Sequence, residues 1–206
     1  MNDDPKNLIE KVKKYNPRAD FGQIKKAYEF AQEAFSGQKR LSGEPVISHA
    51  LAVADILADW KLDTTSIVAG FLHDTVEDAG KTLEEITKEF GQETAELIDG
   101  VTKIGQLKFR GSAEEEFVEN LRKMLLVMAK DLRVVLLKLA DRYHNMQTLS
   151  FLPPEKQKRI ARETLEVYAP LAERLGIGEM KGKLEDLAFP YLYPREYQWV
   201  KELAEP

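Results

Sequence analysis

Cysteine is absent from the 206 residues, which removes disulfides, thiolate metal sites and cysteine nucleophiles and suits a reducing cytosol. Histidine is almost as scarce: three copies confine imidazole chemistry to His49, His73 and His144. Long apolar runs are missing too. The greasiest stretch, Met124 to Ala140, is broken by Lys130, Asp131, Arg133 and Lys138, whereas a spanning helix needs ~18 or more apolar residues. The start, Met1-Asn2-Asp3-Asp4-Pro5, is polar and acidic where a signal peptide begins basic and turns apolar. Nor is positive charge in excess. With 30 Lys+Arg against 35 Asp+Glu and a net charge of -5, coating of nucleic acid by bulk charge does not fit, and any phosphate site has to be local.

What is present is globular: 43% hydrophobic and 32% charged residues, enough for one domain or one with a small appendage. Helical periodicity runs from Ile24 to Phe35 and from Ile47 to Leu57, separated by Gly37 to Pro45, a segment with turn chemistry. Asp63 is placed to cap a helix from Thr64 to about Val76, and Thr82 with Glu85 makes a capping box for a short helix stopped at Gly91. A further helix is expected over Glu93 to Asp99. From Ile104 to Glu116 the period fades, which predicts a mobile surface loop that a highly charged ligand could order through Lys103, Lys108 or Arg110, or else a plain connection. Phe117 to Met128 has one apolar face. Val134 to Leu137 could be a strand, but no second run exists to pair with it, so helix is expected. Ile160 to Leu175 reads as one long helix kinked at Pro170 and ended by Gly176; a helix from Glu179 to about Ala188 is interrupted by Pro190, and another starts after Pro194. The expected fold class is all-α.

Chemistry concentrates at His73-Asp74-Thr75-Val76-Glu77-Asp78, four ionisable groups in six residues at the end of an apolar helix. In one continuous helix, His73 with Glu77 and Asp74 with Asp78 are i, i+4 pairs bordering one patch. Three carboxylates there repel unless a cation sits among them, and imidazole with carboxylate suits manganese, iron or zinc. Asp141 follows the apolar run Val134 to Ala140, where an unpaired carboxylate is costly. Asn145 and Thr148 continue its polar stripe. The alternative for Asp141 is a buried ion pair with Arg142 or Arg133.

These features, together with Arg40-Leu41-Ser42-Gly43-Glu44-Pro45, Gly100-Val101-Thr102-Lys103, Leu139-Ala140-Asp141-Arg142-Tyr143-His144-Asn145-Met146 and Tyr168-Ala169-Pro170-Leu171-Ala172-Glu173-Arg174-Leu175-Gly176, resemble the HD phosphohydrolase superfamily. More closely they resemble the N-terminal hydrolase domain of the long RelA/SpoT homologue proteins. The likeness implies an all-α HD fold over residues 1–193, with 194–206 as the start of a linker toward a synthetase domain. The implied activity is manganese-dependent hydrolysis of the 3′-diphosphate of ppGpp and pppGpp, to GDP or GTP and pyrophosphate, in stringent-response control.

By the resemblance, the Mn2+ ligands are His49, His73, Asp74 and Asp141, and the hydrolytic pair is Glu77 and Asp78. The substrate contacts are Arg40, Ser42, Asn145, Thr148 and Tyr168. His144 matches a motif position but not a ligand, and two departures, Ala50 after the first histidine and Pro190, touch no reacting group. Lys39, Lys103 and Lys158 are further cations that could meet substrate, or simply face solvent. The resemblance also implies a cytoplasmic location and a guanosine tetra- or pentaphosphate substrate, with no membrane and no direct nucleic-acid binding. It admits a longer parent protein with a synthetase domain and ribosome association, or a short natural hydrolase. The alternatives in function are an HD phosphohydrolase acting on another nucleotide, and a non-catalytic alarmone-binding regulatory module.

Overall fold

The computed structural model describes residues 4–106 and 129–204, with residues 122 and 126 between them. Among the described residues there is no strand, only an isolated bridge between Lys39 and Pro45, and no helix is long and apolar enough to cross a membrane. Two compact units divide at Ala140 and Asp141.

The first unit holds α1 (Lys6–Tyr15), α2 (Phe21–Ala34), α3 (Val46–Asp59), α4 (Thr64–Leu72), α5 (Thr75–Asp78), α6 (Leu83–Phe90), α7 (Gln92–Gly105) and the start of α8 (Leu132–Gln147). Its centre is α4, in which every residue from Ser66 to Leu72 is buried; a helix apolar all round belongs in the middle of a bundle. It packs on α2, α3 and α7, with the Tyr28 and Phe71 rings edge to face at 5.8 Å. Gly70 permits the approach to α3: a Cβ there would lie 2.9 Å from Leu57 Cδ1 and 3.1 Å from the Ala54 Cα. Gly100 does the same for α7 and α8, where a Cβ would meet Val134 Cγ2 at 2.8 Å.

Sequence-local chemistry sets the helix ends. Asp20 accepts from the Gln23 N–H and Asp63 from the Ser66 N–H, while Thr82 and Glu85 form the reciprocal capping box. Gly91 alone joins α6 to α7, at φ 90°, a conformation that glycine adopts without a Cβ penalty. Four expectations are corrected. The helix from Thr64 does not run to Val76 but breaks at His73 and Asp74, where Asp74 has φ -95° and ψ -4°. The helix expected over Glu93 to Asp99 extends to Gly105, so Ile104, buried in the core, and Gly105 are helix and not loop; the rest of that loop, 107–116, and most of the helix expected over 117–128 lie outside the described residues.

In the second unit, α8 continues to Gln147, followed by a 3-10 turn (Leu149–Phe151), α9 (Pro154–Glu163), a π turn (Thr164–Tyr168), α10 (Ala169–Arg174), α11 (Gly178–Leu192) and α12 (Pro194–Ala204). The third correction is one of detail: the long helix expected over Ile160 to Leu175 runs unbroken from Pro154 to Arg174, and its irregularity is a π turn just before Pro170. Pro170 has no N–H for the Glu166 carbonyl, and the Ala169 N–H bonds five residues back to the Thr164 carbonyl, the signature of a π turn. The fourth is that Pro190 sits inside α11, which runs on to Leu192. Leu184 and Ala188 of α11 are buried, as are Val167, Tyr168, Leu171 and Ala172 from the π turn and α10.

Candidate metal centre

The turn before α3 is ordered by its own backbone. The Arg40 N–H donates to the Glu44 carbonyl at 2.8 Å, and the Gly43 N–H returns to the Arg40 carbonyl at 2.9 Å. Gly43 takes φ 87° to close it. Pro45 then starts α3 and puts His49 on its first turn, facing inward and 1% exposed. His73 ends α4 and is likewise 1% exposed. Its Nδ1 lies 2.9 Å from the Gly70 carbonyl. That bond requires the proton on Nδ1, which leaves the Nε2 lone pair available as a ligand.

The break after α4 turns Asp74 back toward both rings: its Oδ2 is 3.1 Å from His73 Nε2 and 3.5 Å from His49 Nε2. The rings themselves stand 5.2 Å apart, edge to face. Asp141 lies on α8, a helix continuous through the division between the units, and is 4% exposed. His49, His73 and Asp141 each offer a ligand atom within 4.8 Å of one another. The arginines that might have paired with Asp141 are engaged elsewhere. Arg133 bonds Asp131, Asp63 and Glu93; Arg142 pairs with Glu163 at 3.2 Å and lies over the Tyr168 ring. Instead the Asn145 amide donates to Asp141 Oδ1. Two imidazoles and a buried carboxylate form a donor set suited to a borderline or hard divalent cation.

The remaining expected residues take distinct places. Glu77 and Asp78 are exposed on α5, and the Asp78 N–H keeps that turn bonded to the Asp74 carbonyl at 2.8 Å. Glu77 Oε1 borders the C-terminal end of α7, 3.6 Å from where a Gly105 Cβ would stand; Lys138 Nζ is 3.5 Å from the same point. Arg40 and Ser42 are half-buried on the turn before α3, with the Ser42 hydroxyl donating to Glu44 at 3.3 Å. Thr148 donates to the Asn145 carbonyl at 3.4 Å. Tyr168 is 2% exposed beneath Arg142, and His144 is half-buried on α8. Lys39 and Lys158 are exposed, Lys103 pairs with Asp99 on its own helix, and Lys108 and Arg110 lie outside the described residues. Sequence reasoning missed Lys138, which like Glu77 borders the Gly105 end of α7, and it missed the grip of Glu163 and Tyr168 on Arg142. The one signal for the grip was Pro170, whose missing N–H reshapes the helix between them.

A profile described as "HD domain" matches residues 27–178. The chain is 52% identical over 201 residues to a protein of Myxococcus xanthus named GTP pyrophosphokinase, covering 96% of this chain and 26% of that one. It is 48% identical over 199 residues to the bifunctional (p)ppGpp synthase/hydrolase SpoT of Escherichia coli, covering 97% and 28%. It is 52% identical over 175 residues to the guanosine-3′,5′-bis(diphosphate) 3′-pyrophosphohydrolase of Haemophilus influenzae, covering 85% and 26%. The chain thus spans about a quarter of the length of the curated relatives it matches. A solved structure described as a metazoan ortholog of SpoT that hydrolyzes ppGpp shares the fold, with a TM-score of 0.53 at 22% identity over 84% of this chain and 95% of that one. The chain belongs to the HD domain family, in the company of relatives of the SpoT/RelA type.

Proposed function

We propose that this chain, with residues 1–193 as its catalytic domain, hydrolyses the 3′-diphosphate of ppGpp and pppGpp, releasing pyrophosphate and leaving GDP or GTP. The observation that carries the reading is the convergence of buried His49, His73 and Asp141. The names of the relatives supply the substrate. Manganese is the metal proposed, because mixed imidazole and carboxylate donors suit it. His49, His73, Asp74 and Asp141 would hold it, and when bound it would acidify a water and polarise a phosphate oxygen.

The protein's own groups do the rest. Glu77 and Asp78, exposed on α5, take or orient the proton of the attacking water. The water oxygen bonds to the phosphorus attached to the ribose 3′-oxygen, the P–O3′ bond breaks, and O3′ is protonated as pyrophosphate departs. Arg40 and Ser42 on the turn before α3 receive the guanosine end. Asn145 and Thr148 extend the polar stripe from Asp141 toward the nucleotide, and Tyr168 backs it. Lys138, near Glu77, supplies a local cation in a chain whose net charge is -5. The location proposed for this activity is the cytoplasm, where guanosine nucleotides are met.

The test is direct. Purified protein with Mn2+ should release pyrophosphate from ppGpp, seen by anion-exchange chromatography, and should stop doing so in EDTA. Preferred turnover of a different nucleotide in the same assay overturns the substrate assignment. Tight ppGpp binding without pyrophosphate release would make the chain a regulatory module.

A further inference from the structure

Asp141 is followed directly by Arg142, whose side chain turns into the second unit. Arg142 and Glu163 form an ion pair at 3.2 Å with side chains only 12% and 15% exposed. The guanidinium Cζ stands 4.2 Å from the centre of the Tyr168 ring. Burial works against the charge of Arg142, yet Tyr168, Glu163 and, more weakly, Asp141 hold its pKa above the ordinary value.

The grip depends on the π turn. In a regular α-helix of 3.6 residues per turn, residues five apart point about 140° away from each other. Glu163 and Tyr168 are five apart and still meet the same guanidinium, because the turn between them closes through the bond from the Ala169 N–H to the Thr164 carbonyl. Thr164 seals the joint: its hydroxyl lies 2.8 Å from the Ile160 carbonyl and 3.3 Å from the Met146 sulfur on α8. The turn of α8 that carries Asp141, Arg142 and Asn145 is thereby fixed in rotation.

We infer that Arg142, clamped between Glu163 and Tyr168, is a positioning residue that holds Asp141 and its partner Asn145 in the orientation the metal requires. This rests on the metal-dependent reading above. Groups that orient a ligand are typically worth about 10- to 100-fold in metal affinity. Arg142 is not among the proposed ligands or substrate contacts, so its signature is affinity at constant fold.

The experiment is a Mn2+ titration of the metal-depleted protein, with unbound Mn2+ read by electron paramagnetic resonance and thermal unfolding followed in EDTA. Arg142→Met and Glu163→Gln should each weaken Mn2+ binding by about tenfold or more. Leu184→Ala, a cavity elsewhere in the same unit, should lower the unfolding temperature without altering affinity. Unchanged Mn2+ affinity in folded Arg142→Met overturns the inference. Should that variant not fold, unchanged affinity in Glu163→Gln overturns it equally. An equal loss of affinity in Leu184→Ala also overturns it, by reducing the effect to general destabilisation. Failure of the unaltered protein to bind Mn2+ defeats the proposed function itself and is seen before any variant is compared.

Discussion

At the scale of single residues, the polar groups that matter are those buried where burial is expensive. Asp141 was singled out for that reason, since it follows an apolar run where an unpaired carboxylate is costly, His73 by the cluster of ionisable groups at the end of an apolar helix, and His49 by the resemblance alone. Their division of labour with Glu77 and Asp78 can be tested by two sets of substitutions. His73→Ala or Asp141→Ala should abolish stoichiometric Mn2+ binding in metal analysis, and full occupancy in either would sink the ligand assignment. Glu77→Gln and Asp78→Asn keep size and polarity but remove the base, so turnover should fall by ~100-fold or more with metal retained. Metal loss in those variants would instead make them ligands. Arg142 was not legible as a clamp. Its partners lie in the helix region after Pro154, and only the three-dimensional course of the chain brings them to it.

Among elements, α3 and α4 form the frame of the site, and Gly70 sets their spacing. Its carbonyl also accepts from His73 Nδ1, so one glycine governs both the separation of the helices and the orientation of a ring. Gly70→Ala would force a methyl against the Ala54 backbone and should cost about 1–3 kcal/mol in chemical denaturation, as overpacking does. An unchanged midpoint would show that α3 can shift away. The Thr82 cap is a milder case: Thr82→Ala should cost about 1 kcal/mol. Caps and stops were readable because they depend on adjacent residues, as at Asp63, Thr82, Gly91 and Gly176. The break at His73 and Asp74 was not, because residues 70–78 carry no glycine or proline after Gly70 to signal one. Its origin is tertiary: the Asp74 carboxylate lies against two buried imidazoles.

For the molecule as a whole, Arg133 ties together three places distant in sequence: Asp63 at the start of α4, Glu93 at the start of α7 and Asp131 before α8. The Arg133 hydrogen bonds hold Asp131 below the ordinary carboxylate range. Burial pushes Asp63 up, but the bonds from Ser66 and Arg133 outweigh it and leave its pKa lowered as well. A carboxylate more acidic when folded than when unfolded adds stability above its unfolded pKa of about 4, and loses it as pH falls through the folded value. Thermal unfolding should therefore drop on acidification below about pH 4, and Arg133→Met should flatten that part of the profile; identical profiles would remove the hub from the account of acid stability. The all-α class was legible from periodicity, whereas this hub was not, because Asp63 read as a helix cap and Arg133 as a possible partner of Asp141.

A chain without cysteine has no covalent bond between distant segments. A cation held by His49, His73 and Asp141 would serve as one, closing stretches of 24 and 68 residues, from 49 to 73 and from 73 to 141. Unlike a disulfide, which restrains the unfolded chain, such a cation would act by binding the folded chain and not the unfolded one. Free metal at 100 times its dissociation constant should then add about 2.7 kcal/mol to stability, and chelation should take it away. An unfolding temperature indifferent to Mn2+ and EDTA would leave no such cross-link. In this chain resistance to unfolding and the proposed catalysis would be loaded together, through the same three side chains, by the concentration of one ion.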